Sequence, residues 1–447
     1  MKEYTLLIFF FFCFTLLNAG KVKELSLSLC EQSALAFSPE LKSKASAKEA
    51  AYLNYESSRS SLYPSLSLDA KGSWVSQVPQ LELGPLTTEY GDNWGYAAGP
   101  SLGYVLFDNG GREDYSKSAY SAYQAKEKEY ELAKRNVLLD VRRAYFTVQQ
   151  DLQRMYFMNE QLKVARKQLA DIQAAYEAGA KSNIDVYMAR RQKIKAEINI
   201  ASARGSLGAH LRALFSLTGD SYGIDPSYPL DWRIKAEKGD NAPSSIVKAE
   251  DLEVTLKSLS SVGGYDFDDD LPALAALGDM AGYYENLAKY LRSSLYPSLS
   301  LSAGAYMEYP NGPIHESVLN GRAGVAFKLP LFEGGKSRKA AEANLKQAQA
   351  AKYDKDSLFE ELSQMFYSSK SLLRSLSIQE KLTKEMISDS AKTADLTYHA
   401  YKAGSVTFLE VDNANLALLE SRIALTDIYT ERLNRLAVMD NLGRGAE

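Results

Sequence analysis

Two kinds of apolar periodicity alternate along this chain. From Leu62 the side chains switch every residue: Leu66, Leu68, Ala70, Gly72 and Trp74 fall on one face, and Ser65, Ser67, Asp69, Lys71 and Ser73 on the other. From Leu295 the alternation returns, with Leu299, Leu301, Ala303, Ala305 and Met307 opposing Ser298, Ser300, Ser302, Gly304 and Tyr306. A period of two held over about 13 residues predicts a strand, and a membrane-crossing strand needs about 9–11. Return strands are predicted where Leu102, Tyr104 and Leu106 alternate with Ser101, Gly103 and Val105, and where Val325, Phe327, Leu329 and Leu331 alternate with Gly324, Ala326 and Lys328. Residues 75–98 and 308–320 read as exposed loops rich in Gly, Pro, Tyr and Asn.

The second periodicity is helical. Residues 112–178 and 336–403 contain no Gly or Pro, stretches of 67 and 68 residues that could each extend about 100 Å as helix. In the first, Leu138, Val141, Tyr145, Val148, Leu152, Met155, Met158, Leu162, Ala165, Leu169, Ile172 and Tyr176 predict a coiled-coil seam. The second is less regular, with Leu362, Phe366, Leu373, Leu376, Leu382 and Met386. Gly179 and Gly404 are stop signals, after which a helix of about 35 residues returns to Gly219 or Gly443, Asn183 capping the first return helix.

The chain is written twice. Arg-Ser-Ser-Leu-Tyr-Pro-Ser-Leu-Ser-Leu at 59–68 recurs letter for letter at 292–301. Leu106-Phe107-Asp108-Asn109-Gly110-Gly111-Arg112 is echoed by Leu331-Phe332-Glu333-Gly334-Gly335-Lys336. Tyr176-Glu177-Ala178-Gly179 with Ile184-Asp185-Val186 is echoed by Tyr401-Lys402-Ala403-Gly404 with Leu409-Glu410-Val411. Echoes in the same order predict a tandem repeat. The expected organisation is a signal peptide at 1–19, a first helix–strand–strand–helix repeat at 20–219, a linker at 220–271, a second repeat at 272–443 and a tail at 444–447. The signal rests on Lys2, an apolar run from Leu6 to Leu17 and the small residues near Ala19–Gly20. Asp270, just ahead of Pro272, reads as the capped start of the second repeat's first helix.

Composition removes several function classes. The 52 basic and 56 acidic residues are mixed along the chain, with no basic block for nucleic acid. His210, His315 and His399 lie far apart, the aspartates at 266–270 lack EF-hand spacing, and no metal site is expected. No zinc-protease, nucleophile-elbow or full P-loop motif occurs, so neither catalytic nor cofactor-binding residues are assigned and the protein reads as no enzyme. The glycine pairs Gly110–Gly111 and Gly334–Gly335 read as turns between strand and helix. No further stretch of 18 apolar residues exists, so a membrane is met by a β-barrel or at the surface. Four strands per chain cannot close a barrel alone; if they span a membrane, oligomerisation follows.

The repeated plan, the Leu-Phe-Asp/Glu-(x)-Gly-Gly-Arg/Lys turn and the Tyr-x-Ala-Gly-x5-Asp/Glu-Val turn resemble the TolC-like outer-membrane efflux proteins of Gram-negative bacteria, over residues 22–443. The resemblance implies an α+β membrane protein whose four strands per chain complete a 12-stranded barrel in a homotrimer. It implies long antiparallel coiled-coil helices forming a tunnel in the periplasm, a passive exit duct for efflux or secretion, and a lipid bilayer, a periplasmic adaptor and an inner-membrane transporter as partners. Gly179 and Gly404 would then turn at the periplasmic tip, with Asp185, Glu410 and Tyr401 at its constriction. Departures stand at Val406, where the family carries a basic residue, and at Asn413, where a carboxylate is common; Lys181 is the candidate substitute, pairing with Glu410 across the ring. The alternative is a periplasmic or surface coiled-coil scaffold without a pore, for which polar/apolar strands of membrane length have no use.

Overall fold

The computed structural model describes residues 24–84, 86–219, 248–260 and 266–444; the proposed signal peptide and much of 220–271 lie outside them. The first half runs β1 (Glu24–Leu25), α1 (Leu27–Phe37), α2 (Pro39–Ser60), β2 (Ser65–Trp74), β3 (Gln80–Leu83), β4 (Leu86–Glu89), β5 (Trp94–Phe107), α3 (Gly111–Glu177) and α4 (Asn183–Thr218). Then come β6 (Lys248–Ala249), α5 (Leu252–Ser260) and β7 (Asp266–Phe267). The second half has α6 (Pro272–Ser293), β8 (Ser298–Tyr309), β9 (Val318–Lys328), α7 (Lys336–Lys402), α8 (Phe408–Leu442) and β10 (Gly443–Arg444). The chain divides into two compact units. One takes the described residues up to Lys42, Ala133–Asp269 and those from Glu360; the other takes Ser43–Leu132 and Asp270–Phe359.

The second unit holds a four-stranded antiparallel sheet in the order β2-β5-β8-β9. Its register sorts the side chains. Leu66 faces Leu102, Leu102 faces Ala303, and Ala303 faces Ala323, so one face collects Leu, Ala, Trp and Tyr across all four strands. The other face collects Ser67 opposite Ser101 and Ser302 between Gly103 and Gly324. A one-residue slip would reverse both faces, so the alternation fixes the register. Among the described residues neither β2 nor β9 has a neighbour on its outer edge, and all ten residues of β2 are exposed.

The strands depart from the sequence reading at their ends. β5 begins at Trp94, seven residues before the predicted return strand, because Gly95, Ala97, Gly99 and Pro100 hide a strand inside a turn-like composition. The hairpin β3–β4 lies within the segment expected to be loop. β9 stops at Lys328: Leu329 and Leu331 continue the alternation but Pro330 follows, and Leu331 stands 89% exposed.

In the first unit, α1, α3, α4, α5 and α8 enclose a core that includes Cys30, Val141, Tyr145, Phe146, Leu214, Leu252 and Leu433. Several polar groups inside it are paired. Arg142 bridges Glu31 and Asp440, Tyr145 donates to the Leu25 carbonyl at 2.8 Å, and Gln149 donates to Thr255 at 2.8 Å. Asp268 lies against Arg135 at 3.7 Å and Arg444 at 3.5 Å, which accounts for one of the clustered aspartates as an ion-pair partner. The α3 seam is buried at Val141, Tyr145, Val148, Met155, Leu162, Ala165 and Ile172, but Tyr176 is exposed. On α7, Leu382 and Met386 are exposed and Thr383 is buried in their stead. The helix turns its apolar spokes away from the protomer there, which the spacing alone cannot reveal. α6 is preceded by Leu271 at the cap position with no side-chain cap, so Asp270 is not the cap; Pro272 supplies the first helical residue.

Candidate functional site

The tip of each helical hairpin is built by complementary stop and start signals. Gly179 (φ 75°) and Gly404 (φ 81°) sit in the left-handed region, where a Cβ would be strained. Beyond them, Ala180 N–H donates to the Ala175 carbonyl at 2.8 Å and Ser405 N–H to the Ala400 carbonyl at 2.9 Å, the six-to-one bond of a Schellman motif in both copies. Each return helix then opens on a capping box. Ser182 N–H donates to Asp185 at 3.2 Å, and Thr407 N–H donates to Glu410 at 2.7 Å. Ser182, not Asn183, is therefore the cap of α4, since its hydroxyl accepts the Asp185 N–H at 3.3 Å.

Asp185 and Glu410 are thus carboxylates fixed at helix starts. The Thr407 amide, helped by its hydroxyl, holds Glu410 below the ordinary carboxylate range, so its charge persists into mildly acid solution. Tyr401 is buried against Phe408, ring centroids 5.5 Å apart, in a cluster with Ile172, Ala189 and Val411. Burial, and after it the Asp185 charge, pushes the Tyr401 phenol up to about 12. Lys181 crosses between the copies: its Nζ donates to the Tyr401 carbonyl at 2.9 Å and lies 4.0 Å from the ring centroid. Within one chain, then, Lys181 engages Tyr401 rather than Glu410.

A second junction was missed by the sequence reading. Tyr398 donates to Asp171 at 2.7 Å, and Lys402, lying over the Tyr398 ring, pairs with Asp171 at 3.3 Å. Deeper in, Asn415 donates to Gln168 at 3.2 Å between α8 and α3. Each of these contacts joins the first repeat to the second. Hydrogen bonding from Tyr398, then the pairing with Lys402, holds Asp171 below its ordinary value. Its contribution is complete above the unfolded carboxylate's pKa and fades as pH falls through the lower folded value. Asp171→Asn is expected to loosen the tip by at most about 1 kcal/mol, seen as faster amide exchange at the ends of α3 and α7. Unchanged exchange there would show that the pairing contributes nothing.

The strand-to-helix turns differ between the copies. In the first, Asn109 (φ 54°) and Gly110 (φ 78°) reverse the chain, and Asp108 accepts from both the amide and the Nε of Arg112 at 2.9 Å. The same guanidinium donates to the Ser61 carbonyl at 3.0 Å and the Val105 carbonyl at 2.7 Å. A Cβ on Gly111 would overlap the Ser293 hydroxyl. In the second copy Gly334 (φ 62°) and Gly335 (φ 81°) turn the chain, while Glu333 accepts from Ser337 at 2.6 Å. Among the described residues no cluster of His, Cys, Asp or Glu suits a metal ion, and no helix is long and apolar enough to cross a membrane.

Comparison with known proteins fits this geometry. The chain is 22% identical over 393 residues to the cation efflux system protein CusC of Escherichia coli K12, covering 86% of this chain and 79% of that one. It is 22% identical over 420 residues to the outer membrane protein TolC of Salmonella enteritidis, covering 92% and 80%. The fold matches the crystal structure of the outer membrane protein VceC of Vibrio cholerae with a TM-score of 0.75 at 18% identity, covering 94% and 97%. The family model for "Outer membrane efflux protein" matches residues 31–220 and 283–442, and the chain belongs to that family.

Proposed function

We propose that three copies of this outer-membrane efflux channel component close a 12-stranded barrel and act as a passive exit duct, docking a periplasmic adaptor and an inner-membrane transporter. The observation that carries this reading is the two-faced sheet, both of whose edges are open among the described residues. An apolar face suits lipid and a serine-rich face suits water, and an unpaired edge in lipid must be closed by another strand. With four antiparallel strands per chain, β9 of one copy meets β2 of the next antiparallel. A scaffold without a pore would leave that apolar face unexplained.

At the tip, Asp185 and Glu410 would ring the mouth of the tunnel, with Gly179 and Gly404 making the turns and the Lys181–Tyr401 contact tying the hairpins. Carboxylates around a narrow mouth favour cations. Planar-bilayer recordings test this. The purified protein should give long-lived unit steps with cation preference, retained at mildly acid pH and reduced in Glu410→Ala. A folded trimer giving no steps after insertion would sink the open-duct reading; steps unaltered by Glu410→Ala would remove Glu410 from the constriction.

A further inference from the structure

We infer that the helical part of the assembly is joined by one defined seam, in which α4 of one copy packs against α7 of the next, with Leu396 seated between Ile194 and Ile198. It rests on the trimer proposed above and says where its subunits meet outside the sheet.

The argument starts from α4. Its inward face, Ala189, Gln192, Ala196 and Ile200, is buried in the protomer. Its outward face carries Ile184, Tyr187, Arg191, Ile194 and Ile198, at spacings of three, four, three and four. That is a second coiled-coil seam on the same helix. Ile198 is nonetheless 63% exposed. A bare seam of that regularity needs a helix against it.

α7 has the matching character. Its inward face buries Phe366, Leu376, Ala394 and Tyr401, while Leu396 is 66% exposed. The heights agree. Arg166 of α3 lies 3.6 Å from Glu197 of α4, and Asp171 of α3 lies 3.3 Å from Lys402 of α7. Helices α3 and α7 run in the same direction, so five residues back along each places position 397 of α7 level with Arg166, and hence with Glu197. Leu396 and Ile194–Ile198 therefore stand at one height on the bundle. Copies related by rotation about an axis along the bundle bring equal heights together.

Charge points the same way. Among the described residues Arg191 and Lys195 have no carboxylate within salt-bridge distance. On α7, Asp395 is exposed beside Leu396, its only ion-pair partner there being His399 at 3.7 Å. Arg191 and Lys195 on one helix suit the exposed Asp395 beside Leu396 on the other, whereas two copies of α4 would set Arg191 and Lys195 against like charge.

Cysteine pairing tests the seam in the full-length trimer. Under mild oxidation, the Ile198→Cys/Leu396→Cys double variant is expected to convert monomer bands into covalent dimers and trimers. Each single variant controls for the native thiols and should not. Lys195→Glu should lower the temperature at which the trimer dissociates, and adding Asp395→Lys should restore it. A trimer of correct native mass whose double variant stays unlinked overturns the seam and leaves the duct reading standing. A monomeric native mass overturns both.

Discussion

Leu102→Arg is expected to cost the membrane-inserted protein about 2–4 kcal/mol, the penalty for a cation near the lipid midplane of a barrel. Leu102 lies near the middle of the sheet, opposite Leu66 on β2 and Ala303 on β8, within the continuous apolar face. Ser302→Arg is the control. Ser302 occupies the other face, opposite Gly103 and Gly324, where no side chain larger than a hydrogen opposes it. Equilibrium unfolding from lipid vesicles should show the first variant strongly destabilised and the second near the parent. Equal losses would mean that the faces have been assigned wrongly.

Gly99→Ala should be as damaging for a different reason. A methyl group there would overlap the Ala305 carbonyl oxygen and come within 2.7 Å of the Tyr306 Cα. Both are backbone, so no side chain can move aside and β5 must part from β8. Overpacking ordinarily costs about 1–3 kcal/mol, and a clash with main chain falls at or above the top of that range. Gly321→Ala, on the same sheet with nothing within 4 Å of the added carbon, should fold normally. The comparison is read as the yield of folded protein in detergent. Folded Gly99→Ala protein as abundant as the Gly321→Ala protein would show that the two strands are not held at this separation.

The sequence announced the helices most clearly, because an unbroken run without Gly or Pro leaves little else possible: α3 and α7 end within about two residues of the expected limits. Strands were legible where β-branched or leucine-rich alternation was strong and illegible where Gly, Ala and Pro dominated, as in the first half of β5. At the tip, the turns and capping boxes are local, spelled within a few neighbouring residues, as at Ser182 and Asp185. Partnership is not local. Asp171 and Tyr398 are 227 positions apart. Periodicity tells which face of a helix is buried but not which side chain on another helix meets it. Lys181 shows the same limit: the family resemblance marked it as a pairing residue, while its partner, a carbonyl and a ring in the other repeat, could come only from the fold.

The sheet order also bears on how such a chain could arise. Each repeat brings one long hairpin, β2–β5 or β8–β9, and the strands that join them are β5 and β8. In the trimer proposed above, six hairpins would meet at six junctions, three inside chains and three between them. The β5–β8 junction is then a covalently tethered counterpart of that subunit boundary, as the doubling of a single-hairpin chain would produce. Because a hairpin always adds two strands, that doubling, or its reversal to six half-length chains, keeps every junction antiparallel. Joining two hairpin subunits into one chain would need no change in the hydrogen-bonding pattern of such a wall.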